Sequence, residues 1–176
     1  GCARAGGEAG HGQGLGAVGP VGWMVPSVDG VFRNDLTNLF TDGGLGRSVQ
    51  SHTFLLGELL ERQATRWAPP KLGRKSIVQA HCHHKSVLKM EDEEAVLRKL
   101  GLDLQVLDSG CCGMAGSFGF EADKYDVSMA CGERVLLHQV RKAAAPTLIG
   151  AAGFSCQGPS AQSTSRRALR PPPATP

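Results

Sequence analysis

Three short apolar runs with helical patterns between them limit the folds open to this chain of 176 residues. The runs are Ser76 to Ala80 (SIVQA), Leu102 to Leu107 (LDLQVL) and Thr147 to Ala151 (TLIGA). Their length suits strands, and LDLQVL alternates with period two. Between the first two lies Asp92 to Leu100, a helical pattern with Val96, Leu97 and Leu100 inward, followed by Gly101 where a left-handed C-cap is expected. Between the second and third lies Glu121 to Lys142, which reads as the longest helix. Tyr125, Met129, Leu136 and Val140 fall close to one of its faces, and Pro146 ends it. Strand–helix–strand–helix–strand implies parallel pairing. The expected fold class is therefore α/β, three-layered, with a mainly parallel sheet and flanking helices.

Upstream, Val31 to Phe40 reads as a short helix and Ser48 to Gln63 as a clearer one, its Val49, Leu56, Leu59 and Leu60 at helical spacing. Pro69-Pro70 closes that region. Residues 1–22 are rich in Gly and Ala without a sustained period and read as a disordered lead. Residues 157–176 are rich in Ser, Arg and Pro and read as a disordered tail. The domain is thus expected over 23–156. A formal net charge of +3 is too small to argue for nucleic acid. No apolar run approaches bilayer length, and the N-terminal stretch lacks a basic segment followed by an apolar one. The expected location is cytoplasmic, or peripheral at the inner face of the membrane. The chain starts with Gly1, which reads as a fragment.

The six cysteines then carry the chemistry. In a reducing compartment they read as metal ligands or redox thiols rather than a disulfide scaffold. Cys82 follows the first strand, Cys111 and Cys112 the second, and Cys156 the third. If the strands are parallel, all four emerge at the carboxyl edge of the sheet, where open α/β sheets build their sites. Thiolate suits both iron–sulfur clusters and zinc. A vicinal pair is a poor zinc knuckle, whereas neighbouring cysteines can bind different irons of one cluster. Gly110, Gly113, Gly116 and Gly119 let the backbone approach a bulky cofactor and aim N–H groups at its sulfurs.

The segments HCHHK (81–85), DSGCCGMAGSFGF (108–120) and GFSC (153–156) resemble the cysteine-rich CCG domain. That domain occurs in heterodisulfide reductase, in the iron–sulfur subunit of glycolate oxidase and at the C-terminus of FAD-linked oxidases of D-lactate or D-2-hydroxyglutarate. The softer stretches VFRNDL (31–36) and QSHTFLLGELL (50–60) extend the likeness. The resemblance implies that Cys82, Cys111, Cys112 and Cys156 hold an iron–sulfur cluster, of 4Fe–4S type. It implies a module that passes electrons between a flavin and an external acceptor such as a quinone or carrier protein. FAD would sit on a missing or partner domain, beside a ferredoxin-type iron–sulfur region, so the chain would not be catalytic alone. The family pattern has a further cysteine after Pro-Ser; here Val28 follows Pro26-Ser27. Either the chain is a C-terminal piece of a longer protein or it is a decayed copy.

Around these ligands, His81, His83 and His84 are expected to contact the loop or the cluster sulfurs rather than ligate directly. Lys85 would offset cluster charge, and Met114 and Phe118 would line an apolar wall. Cys131 reads as a small core residue and Cys2 as inert. Two other functions fit the same letters. One is a structural zinc or thiol module built on the four cysteines; the other is a degenerate fragment that has lost its cluster.

Overall fold

A computed structural model describes residues 21–23, 25–40, 44–64 and 66–164. The three expected strands are Lys75–Gln79 (β3), Asp103–Val106 (β4) and Leu148–Ala151 (β5), and they form one sheet in the order β4-β3-β5. Both pairings are parallel, with Ile77 opposite Gln105 on one side and Ile149 on the other. The central strand is buried from Ser76 onward, as a strand covered on both faces must be. Helix Glu91–Lys99 (α5) connects β3 to β4. It starts on the acidic run Glu91 to Glu94, where negative charge complements the helix dipole. It ends before Gly101 at φ 72, the left-handed position that favours glycine.

Helices Tyr125–Glu133 (α6) and Leu136–Lys142 (α7) carry the chain from β4 to β5, where the sequence reads one helix over Glu121 to Lys142. The break falls at Val135, whose φ of −140° and ψ of −58° are not helical. Leu136, Leu137 and Val140 must face Ile77, Leu107 and Ile149 in the core. Gly132 meanwhile lies against the Cys112 carbonyl and the Leu137 side chain. The chain bends there instead of continuing as one helix, so tertiary packing overrides local propensity. Tyr125, expected on the inner face, is exposed.

The chain is also helical from Pro26 to Leu39, as Pro26–Gly30 (α1), a π-helical turn Val31–Asp35 and Leu36–Leu39 (α2). Pro26 sits in the first turn, where its missing N–H costs nothing. The helix expected over Ser48 to Gln63 is divided into Gly44–His52 (α3) and Leu56–Arg62 (α4). Between them Thr53–Leu55 (β2) pairs in parallel with Val21–Trp23 (β1). The β-branched and aromatic run favours a strand once a partner exists. The Thr53 hydroxyl donates to the Val49 carbonyl at 2.7 Å, satisfying an acceptor near the end of α3.

Two elements reach into the segments expected as lead and tail. Val21 and Gly22, expected in the lead, pair with Thr53 and Phe54. Helix Phe154–Thr164 (α8) extends eight residues past Cys156, into the expected tail. Burial of Cys156, Pro159 and Ser160 holds it there despite the internal proline. The remaining parts of the lead and tail, with Cys2, lie outside the described residues. No helix among the described residues is long and apolar enough to cross a membrane.

Candidate metal centre

The parallel sheet sends β3, β4 and β5 out at the same edge, and each carries its cysteine there. After β3 the chain turns through Ala80 and His81 into a short helical segment bearing Cys82, which is exposed. After β4, Leu107 still donates to the Val78 carbonyl at 2.9 Å before the chain leaves the sheet toward Cys111 and Cys112. After β5, Gly153 begins the turn whose carbonyl accepts the Cys156 N–H at 3.0 Å. Cys111 is half-buried. Cys112 and Cys156 are 6% and 1% exposed and belong to the same hydrophobic cluster as Leu137 and Val140.

Cys112 and Cys156 are electrostatically coupled. The Cys156 thiol donates to the Cys112 sulfur and is the main influence drawing Cys112 down to about 6, against the opposing effect of burial. The N–H groups of Met114 and Cys112 and the Cys111 thiol act in the same direction. Cys156 is pushed up by donating that bond, by burial, by the charge on Cys112 and by Cys82. In this pair Cys112 is the group that ionises first. The Gly113 N–H points at the Cys111 sulfur at 3.3 Å. A sulfur with donors around it is chemically suited to carry negative charge.

Of the four loop glycines, Gly113 and Gly119 are crowded, while Gly110 and Gly116 face open space. Gly113 has φ 100, and a Cβ there would run into the Ser128 carbonyl. The buried Ser128 hydroxyl donates to the Gly113 carbonyl at 2.8 Å, so the turn after Cys112 is seated on α6. Gly113→Ala is expected to destabilise by on the order of 1–3 kcal/mol from backbone strain. A urea midpoint unchanged from wild type would contradict that placement.

Two of the histidines rest on glycines. The His81 ring lies on Gly153, tying the β3 end to the β5 end, and its buried Nδ1 has no hydrogen-bond partner. The His83 ring lies on Gly30 of α1, and its buried Nε2 also lacks one. His84, which the sequence offers beside His81 and His83 as a neighbour of the cluster, is 2% exposed. Val28, exposed, sits in α1, which packs against the helical segment His84–Leu88. Lys85 pairs with Asp108 at 2.7 Å, linking the Cys82 segment to the loop after β4. Met114 is buried, Phe118 half-buried, and Cys131 half-buried on α6.

Burial, followed by the charge of His81, draws His84 down to about 4. The unfolded chain therefore holds the extra proton between about pH 6.5 and 4, and the folded one does not. Stability falls as pH drops through that window, by roughly 3 kcal/mol in full. Urea midpoints from pH 7 to 4.5 check this. His84→Gln should flatten the slope; an equally steep fall in the variant would contradict the assignment.

A second polar network escapes the sequence reading. Asp29 is fully buried and Glu58 is 5% exposed. Arg33 bridges them at 3.3 and 2.7 Å, and Glu58 also accepts the Leu55 N–H at 2.9 Å. This ion-paired group fastens α1 to α4.

Among the described residues, no three His, Cys, Asp or Glu side chains converge as a single bound metal ion requires. A cluster makes a different demand, because its irons occupy separate corners and its thiolates need not meet at one point. Four thiols at one edge, an N–H aimed at Cys111 and the unpartnered His81 Nδ1 suit such a group by chemistry.

Comparison with known proteins finds similarity to parts of oxidoreductases. The chain is 31% identical over 154 residues to D-2-hydroxyglutarate dehydrogenase of Pseudomonas putida, an alignment covering 86% of this chain and 14% of that protein. It is 33% identical over 98 residues to one subunit of the anaerobic glycerol-3-phosphate dehydrogenase of Escherichia coli, covering 49% of this chain and 24% of that relative. The chain thus spans between a seventh and a quarter of these curated relatives. No protein-family profile matches it, and no solved structure does. The two relatives described are dehydrogenases, and the chain is similar to an oxidoreductase-associated module within each.

Proposed function

We propose that this chain is the iron–sulfur electron-transfer module of an FAD-linked oxidoreductase acting on D-2-hydroxy acids. The observation that carries the reading is the delivery of Cys82, Cys111, Cys112 and Cys156 to one sheet edge by three parallel strands. The similarity to a D-2-hydroxyglutarate dehydrogenase over most of the chain supports it. Those four cysteines would hold the cluster, of 4Fe–4S type. When bound, it would supply one-electron transfer between a flavin and an external acceptor, a quinone or carrier protein.

The chain's own residues supply the setting. Cys112 and Cys156 present sulfur from inside the hydrophobic core, where the environment is dry. Cys82 and the half-buried Cys111 lie nearer the surface, the side from which an electron would enter or leave. Gly110, Gly113 and Gly116 would form the backbone cradle, with His81 and His83 beside the group as hydrogen-bonding neighbours. FAD and a ferredoxin-type iron–sulfur region would reside on a partner domain or a neighbouring chain.

Anaerobic reconstitution with iron and sulfide tests the reading. The expected product is brown, with broad visible absorption and iron and acid-labile sulfide in near-equal amounts. One equivalent of zinc, bound in preference to iron and without sulfide, would instead establish a structural thiol site.

A further inference from the structure

Gln79 is the last residue of the central strand and the one polar side chain in the interior of an apolar run, yet it is 1% exposed. A polar group buried to that degree must be fully engaged. Its Nε2 donates to its neighbour's carbonyl on Ala80 at 3.1 Å and to the Gly110 carbonyl at 3.4 Å. Its Oε1 accepts the Ser109 hydroxyl at 2.5 Å. Its backbone carbonyl accepts the Ala152 N–H at 3.2 Å. One residue therefore touches the chain leaving β4, the chain leaving β5 and the chain leaving its own strand. The β4 ladder ends at Leu107, and the next residues have left the sheet. Gln79 replaces the missing ladder contacts with side-chain bonds at Ser109 and Gly110, directly before Cys111 and Cys112.

We infer that Gln79 is a positioning residue that sets where the Cys111–Cys112 pair stands relative to Cys82. The inference rests on the cluster reading above for its functional meaning, but the clamp itself belongs to the chain without any bound group. Gln79 acts through Ser109 and Gly110. It holds the loop against a strand that is covered on both faces and has little freedom to move.

Two variants of the full chain test this. Gln79→Met keeps the length of the side chain and removes every side-chain bond. Ser109→Ala removes one of them and leaves the strand untouched, so it decides the matter if Gln79→Met fails to fold. In the metal-free chain, iodoacetamide labelling followed by peptide mass spectrometry compares the Cys111–Cys112 peptide with the exposed Cys82. The ratio of labelling rates is expected to rise about fivefold in Ser109→Ala, the change that losing one ordinary hydrogen bond produces, and further in Gln79→Met. After anaerobic reconstitution, the reduced cluster's paramagnetic resonance signature and midpoint potential are expected to shift in Gln79→Met while its iron content stays near that of wild type. A labelling ratio within about twofold of wild type in the folded variants overturns the inference. A changed ratio in a chain whose wild-type form takes up no iron upholds the clamp and removes the cluster reading alone.

Discussion

Cys112→Ser is expected to abolish the visible absorption that anaerobic reconstitution gives the wild-type chain, and with it nearly all bound iron and sulfide. Cys112 is the sulfur most strongly prepared to be a thiolate: the neighbouring Cys156 thiol and nearby backbone N–H groups draw it down although it is buried in the core. A serine hydroxyl in that place remains protonated near neutral pH and is a harder, weaker ligand for iron. The loss also reaches stability, because a group bound only by the folded chain adds its binding free energy to folding. The wild type should therefore gain thermal stability on reconstitution, and Cys112→Ser should not. Cys131→Ser is the control, since Cys131 stands within α6 rather than on a loop that leaves one of the three strands, and should keep full colour. Equal iron and sulfide in wild type and Cys112→Ser would remove the assignment.

Leu137→Ala is expected to cost about 2–5 kcal/mol, because the side chain is fully buried and its truncation leaves a cavity in the core. Leu137 lies where α7 meets β3 and β5, and it shares its cluster with Cys112 and Cys156. For a domain of this size such a loss is a large fraction of the whole stability. Val127→Ala, at an exposed position on α6, should stay within about 0.5 kcal/mol of wild type. Urea unfolding followed by far-UV circular dichroism gives both values. A loss below about 1 kcal/mol for Leu137→Ala would mean that the core is looser than its burial implies. The same variant should weaken cluster retention, since two of the proposed ligands are held by that packing.

Much of this arrangement was legible from residues alone. The runs around Ile77, Leu104 and Ile149 read as strands because their apolar pattern is short and local, and their parallel pairing followed from the helices between them. The convergence of Cys82, Cys111, Cys112 and Cys156 followed in turn, since strand direction determines which edge each loop leaves from. The breaks at Thr53–Leu55 and Val135 were not legible. Helical spacing runs through both, and each is imposed by a partner distant in sequence: Val21–Trp23 for the first, the sheet and the Cys112 loop for the second. The helix past Cys156 was hidden by its proline and its polar letters, which burial of Pro159 and Ser160 outweighs. A signal for Gln79 did exist, a lone amide inside SIVQA, but its meaning depends on where Ser109 and Gly110 pass.

The sequence by itself determined the three strands of the main sheet, their parallel direction and the edge from which the cysteine-bearing loops leave, because periodicity and chain connectivity are properties of neighbouring residues. Only the tertiary structure decided which sulfur is buried and ionises first, which histidine rests on which glycine, and that Asp29, Arg33 and Glu58 form one ion-paired group. Desolvation and hydrogen bonding between distant residues depend on distances that exist only after the chain has packed.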